Sequence, residues 1–211
     1  TPRLRGGAPG AARRAGIPGR WGFAAQWRRG LLTRAVPRLG RRTAPLHQVA
    51  YYQELVRGLE IDPVTPEPRL AAPPHMIARA RSLLDAAGCG QDRPIVGIAP
   101  GAAYGYARRW VPGRYGRVAD RLCRELGASV VLLGNAHDRD AGHAIESSLT
   151  ADRAGPGPGV VNLIGRTDLS QLMGVVASCR AFISSDSGAM HLAAALGVPV
   201  TAIFGPTDER V

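Results

Sequence analysis

From Pro94 onward the chain repeats one pattern, a short and mostly β-branched apolar run followed by an amphipathic stripe. The runs occupy residues 95–99, 130–133, 160–163, 182–184 and 200–204. Runs this brief and this continuously apolar read as strands buried on both faces. Between them Tyr115, Val118, Ala119, Leu122 and Leu126 share one helical face. Ala141, Ala144, Ile145 and Leu149 form a second stripe, and Leu172, Val175, Val176 and Cys179 a third. Strands alternating with helices predict an α/β domain with a Rossmann-like, doubly wound parallel sheet. Such sheets bind ligands outside the carboxyl ends of their strands, so the informative residues should lie directly after each run.

Upstream, Pro63, Pro66, Pro68, Pro73 and Pro74 crowd into twelve residues. Clustered prolines deny backbone donors and favour extended chain, so 63–74 reads as a semi-rigid linker between a segment 1–62 and a domain 75–211. Residues 51–59 fit a short helix. Met76, Ala80, Leu83, Leu84 and Ala87 keep helical spacing up to a stop at Gly88. The net charge of +11 lies almost wholly in the first quarter, where residues 1–50 hold eleven arginines and no acid. Beyond them arginines and acids balance, and lysine is missing throughout. Trp21, Phe23, Trp27, Leu31 and Leu32 punctuate that basic segment as they would a folded domain. A targeting peptide or a nucleic-acid contact are the other readings of such a start. An apolar share of 45% excludes an intrinsically disordered chain, and no apolar window is long enough to span a bilayer. Cys89, Cys123 and Cys179 are odd in number and form no CxxC, which suits a reducing cytosol.

Four strand-end segments carry groups suited to ligand chemistry. The segment running from Ser184 to His191 opens a helix at 189–196, with Ser185, Asp186 or Ser187 as N-cap. A helix start with a positive dipole end suits a diphosphate, and Gly188 lets a ligand approach the backbone. Asp186 would repel phosphate, so its carboxylate fits either a sugar hydroxyl or a cap. The segment from Pro100 to Trp110 is neither GxGxxG nor a P-loop. Arg108 or Arg109 can neutralise a diphosphate there, or the two can be surface arginines with Trp110 in the core. In Gly134-Asn135-Ala136-His137-Asp138, Asp138 can hold ribose hydroxyls or cap the next helix. His137 and His143 lack a third ligand for zinc. Gly205-Pro206-Thr207 reads as a turn, and 155–159 as a loop.

These segments together resemble glycosyltransferase family 9, the ADP-heptose:lipopolysaccharide heptosyltransferases. The resemblance rests on Pro100-Gly101-Ala102 with Arg108-Arg109-Trp110, then the segment 134–138, then 162–167 (NLIGRT). Asp186-Ser187-Gly188-Ala189-Met190-His191 and Phe204-Gly205-Pro206-Thr207 complete it. Ala15-Gly16-Ile17-Pro18 and the stretch His47 to Tyr52 resemble the end of the N-terminal domain in the heptosyltransferase II branch. The resemblance implies a GT-B fold, with 1–62 a remnant of the acceptor-binding domain and 75–211 a nucleotide-sugar domain cut short at its end. It implies inverting transfer of heptose from ADP-heptose to an inner-core heptose of lipopolysaccharide, with no obligatory metal or cofactor. Asp186 would contact the transferred heptose, Ser187 and Gly188 the diphosphate, and His191 would support the helix start. Arg108 stands where the family has a lysine near the phosphates, and Asp138 where an acid holds the adenosine ribose. The catalytic base is expected upstream of Thr1. The implied setting is cytoplasmic, peripheral at the anionic inner face of the inner membrane, without nucleic acid. Another GT-B transferase and a noncatalytic nucleotide-sugar module are the alternatives.

Overall fold

In a computed structural model the chain is described over residues 7–24, 28–37, 48–62, 67–90, 92–102, 109–149 and 159–206. The described residues form two compact units, one ending at Pro68 and the other starting at Arg69. In the first, helix α1 (Gly7–Arg14) precedes strand β1 (Trp21–Phe23), which pairs in parallel with β2 (Arg34–Val36), and helix α2 (Gln48–Gly58) follows. Arg20 and Thr33 lock the entry to the two strands: Arg20 N–H donates to Thr33 Oγ1 at 2.8 Å, and Thr33 N–H to Arg20 O at 2.8 Å. The Phe23 and Tyr51 rings lie 4.7 Å apart. A Cβ on Gly58 would sit 2.3 Å from Val36 Cγ1, so only glycine lets the end of α2 close on β2.

The second unit runs α3 (Pro74–Ala86), β3 (Ile95–Ala99), α4 (Pro112–Leu126), β4 (Ser129–Leu132), α5 (Arg139–Ser147), β5 (Val160–Asn162), α6 (Leu169–Ala177), β6 (Ala181–Ser185), α7 (Gly188–Ala195) and β7 (Val200–Ile203). The five strands pair in parallel in the order β5-β4-β3-β6-β7. Period-two alternation divides each central strand between two cores. Val96, Ile98, Val130 and Leu132 pack with Tyr115, Ala119 and Ile145 of α4 and α5. Val131, Leu133 and Phe182 pack with Leu84, Val175, Val176 and Ala193 of α3, α6 and α7. Burying apolar side chains on both faces is the main force holding the sheet, at roughly 25 cal/mol per Å2 of apolar surface. The expected linker ends inside the second unit: Leu70 N–H donates to Ala195 O at 2.8 Å, and α3 begins at Pro74.

The strands fall within a residue or two of the apolar runs. Leu133 lies just past β4, and its N–H still bonds Ile98 O at 2.8 Å. Two stripe members fail: Leu126 is 65% exposed, because the last turn of α4 before Gly127 (φ 61°) stands clear of the core, and Ala144 is exposed, Gly142 and Ile145 being the buried residues of α5. The inward face of α4 carries Gly116 and the buried Asp120, which pairs with Arg124 at 2.7 Å.

Candidate functional site

The order of the strands places a reversal between β3 and β6. The helices after β3 and β4 cover one face, whereas those after β5 and β6 cover the other. Adjacent strands whose chains leave to opposite sides open a crevice at their carboxyl ends. Ala99 lies in register with Ser184 there, so the turn Pro100-Gly101-Ala102 and the segment Ser185 to Gly188 form its two lips.

A network of buried hydroxyls joins the lips. Ser185 Oγ donates to Pro100 O at 3.3 Å and meets Tyr115 Oη at 2.8 Å. Ser184 Oγ donates to Ser185 O at 2.7 Å and meets Ser187 Oγ at 3.0 Å. Ser184, Ser185 and Tyr115 are all fully buried. Burial pushes the Tyr115 hydroxyl above its ordinary pKa of 10.0, only partly opposed by the hydrogen bond to Ser185. Trp110 meets the Tyr115 ring edge-on at 5.1 Å, in the core, and Arg114 stacks over Trp110.

Of the candidate N-caps of α7, Ser187 takes the position, with extended backbone (φ −152°, ψ 167°) and no side-chain cap bond. Its hydroxyl is engaged with Ser184 instead. The Ser187 side chain therefore does not cap the first turn of α7, whose N–H groups lie next to the half-buried Asp186. A Cβ on Gly188 would meet no atom of the described residues within 4 Å. His191 is exposed on the same helix.

Asp138 is 3% exposed. Its Oδ2 accepts the Asn135 N–H at 3.1 Å while Asn135 Oδ1 accepts the His137 N–H at 2.7 Å, a reciprocal capping box around the turn after β4. Asp138 does not cap α5 itself. Its other oxygen lies 3.4 Å from Arg109 Nη2, and a Cβ on Gly101 would fall 2.3 Å from the Asp138 carboxyl carbon. Of the two readings of Asp138, ribose ligand and cap of the next helix, the second is met one turn early: the carboxylate caps the turn before α5 and not α5 itself. Arg109 is not a surface arginine; its side chain is 28% exposed and leans on Asp138. Arg108 lies outside the described residues, as do Trp27 and most of the 155–159 loop. The 162–167 segment braces the same corner, with Gly165 N–H on Gly134 O at 2.9 Å and Arg139 on Gly165 O at 3.3 Å. Among the described residues no three His, Cys, Asp or Glu side chains gather where they could hold a metal ion. Sequence reasoning missed Tyr115, Ser184 and the tie between Ser185 and Pro100. Tyr115 reads as one more apolar member of the α4 stripe, and its partner is 70 residues away.

A Rossmann-like unit with its ligand-competent crevice at a reversal of strand order is a nucleotide-binding architecture, and comparison with known proteins narrows the class. The family profile for glycosyltransferase family 9 (heptosyltransferase) matches residues 11–211, and the chain belongs to that family. Lipopolysaccharide heptosyltransferase 2 of Salmonella typhimurium is 40% identical over 117 residues, covering 56% of this chain and 32% of that protein. Lipooligosaccharide heptosyltransferase 2 of Haemophilus influenzae is 39% identical over 119 residues, covering 56% and 33%. The match thus spans about a third of the length of these curated relatives. The solved structure of E. coli ADP-heptose LPS heptosyltransferase II superposes with a TM-score of 0.77 at 31% identity, covering 95% of this chain and 60% of that one. The α/β fold is that of the GT-B heptosyltransferases.

Proposed function

We propose that this chain supplies the donor side of a lipopolysaccharide heptosyltransferase, binding ADP-heptose in the crevice between β3 and β6. The observation that carries this reading is the start of α7, which the Ser187 side chain does not cap, set against the Pro100-Gly101 turn in a chain of this family. The first N–H groups of α7 and its dipole receive the diphosphate, with charge from Arg109 held in place by Asp138. Open space at Gly188 admits the phosphate to the backbone, and Asp186 accepts hydroxyls of the heptose. No resident metal enters the proposal. In the transfer, the acceptor oxygen forms a bond to the anomeric carbon from the face opposite the donor oxygen, inverting that centre. The bond to the β-phosphate breaks with its electron pair leaving on ADP, and the acceptor proton passes to a general base outside the residues assigned in this chain. The helix start and Arg109 favour this step by holding the charge that develops on the leaving diphosphate.

The acceptor in this reading is an inner-core heptose of lipopolysaccharide, and the basic first unit meets anionic acceptor and anionic membrane surface together. Not every arginine is available for that: Arg34 pairs with Glu60 at 2.9 Å and Arg20 bonds backbone carbonyls. No helix among the described residues is long and apolar enough to cross a membrane, which fits peripheral contact at the inner face. Calorimetry with ADP, UDP and GDP tests the donor reading. ADP should bind with clear preference. A preference for UDP or GDP would instead identify a different nucleotide-sugar transferase, and binding without heptosyl transfer by the full-length protein a noncatalytic module.

A further inference from the structure

We propose that Tyr115 is a positioning residue for the donor crevice, setting the separation of its two lips through Ser185; the proposal rests on the donor reading above. Ser185 carries one hydroxyl proton, and that proton is directed to Pro100 O. At the 2.8 Å contact with Tyr115, Ser185 Oγ must then accept, and the phenol must donate. Donation therefore runs from Tyr115 to Ser185 to the Pro100 carbonyl, and one phenol on α4 holds the exit of β6 and the exit of β3 at once. Tyr115, Ser185 and Pro100 are fully buried, so no water replaces a lost link. Trp110, packed edge-on against the ring, keeps the phenol from turning away.

The same count applies one residue earlier. Ser184 spends its proton on Ser185 O, so Ser187 is the donor at the 3.0 Å contact between the two hydroxyls. The Ser187 proton thus points back into the strand end and is not offered to a ligand. What the segment presents outward is backbone N–H, and its aim depends on the hydroxyl network behind it. The family resemblance places Ser187 at the diphosphate; with its hydroxyl engaged by Ser184, that contact falls to its backbone.

Tyr115→Phe removes the phenol hydroxyl, and with it the donor to Ser185, while leaving the ring. The ring still packs on Trp110, and Ser185 still donates to Pro100, so no buried donor is stranded and the fold should persist. Two readouts are compared with wild type: amide hydrogen exchange without ligand, and ADP affinity. Exchange should quicken by about tenfold in residues 101–102 and 185–189, while β4 and α6 keep their protection. ADP affinity should fall by about tenfold. Unchanged exchange in those two segments would overturn the proposal. So would an equal rise across the whole second unit, which a merely structural tyrosine predicts, or unaltered ADP affinity. If wild type itself fails to bind ADP, the donor reading falls and takes the donor part of this proposal with it, whereas the exchange comparison still decides whether Tyr115 holds the two lips.

Discussion

The two ends of the same five-stranded sheet are built from different materials. At the carboxyl ends of β3 and β6 the buried groups are hydroxyls and a carboxylate: Tyr115, Ser184, Ser185 and Asp138. At the amino ends they are mainly thiols, Cys89 and Cys179, with the single buried hydroxyl of Ser129 beside Ile95; the thiols line a cleft of about 580 Å3 together with Arg81, Asp92, Arg93 and Arg180. A buried hydroxyl without a partner costs about 1–3 kcal/mol, so each one dictates where its neighbours must be. A buried thiol behaves as a small apolar group and dictates little. The amino end therefore has a cleft without specified geometry, and the carboxyl end has geometry specified by its buried hydroxyls and carboxylate.

The sharpest way to break this contrast is Asp186→Ala. Transfer by the full-length protein should drop by roughly 100-fold or more, the 2.7–4 kcal/mol scale of losing a bond that tightens in a transition state. The melting temperature should move little, and near-normal turnover would remove Asp186 from the site. A second comparison uses Gly188→Val. No atom of the described residues lies within 4 Å of a Cβ at this position, so stability should hold. ADP affinity should nevertheless fall by at least about tenfold, roughly 1.4 kcal/mol, because the methyl groups fill the space the phosphate needs. Retained affinity would place the diphosphate elsewhere.

The smallest effect belongs to the amino end. Burial pushes the Cys179 thiol from 9.0 up to about 12, against a bond with the Gly97 backbone that lowers it. Unfolded chains lose this proton near pH 9 while the folded chain keeps it, so the contribution to stability is whole below pH 9 and lost as pH rises toward about 12. Urea denaturation between pH 7 and 10.5 should show wild-type stability falling above pH 9, and Cys179→Ala falling less steeply. ADP affinity of this variant should match wild type. A loss there would tie the two ends together.

These differences also explain what could be read beforehand. The strands were legible because strands covered on both faces must be apolar at every position, and a parallel order then sends function to their carboxyl ends. Asp138 and Ser187 were legible as polar groups at strand ends but not in their partners. A carboxylate at a strand end can by pattern hold a ribose or cap the next helix, and only the distance to Asn135 N–H shows that it caps the turn before that helix. Leu126 satisfied the helical period, yet periodicity says nothing about how far the sheet reaches beneath a helix. Tyr115 stayed hidden for the opposite reason, since its ring obeys the apolar pattern while its hydroxyl acts outside it.

The central position of β3 has a consequence for how the protein is made. Its partner on one side, β4, follows within one helix, but its partner on the other, β6, is far downstream. Pro100 and Ser185 are 85 residues apart, an interval of roughly 4–17 s at ribosomal rates of about 5–20 residues per second. During that time β3 is an unpaired edge of Ile95, Val96, Gly97, Ile98 and Ala99, able to pair with any strand it meets. Translation rate and chaperone supply over residues 100–185 should therefore govern the yield of folded chain, and the crevice exists only after that edge has been closed.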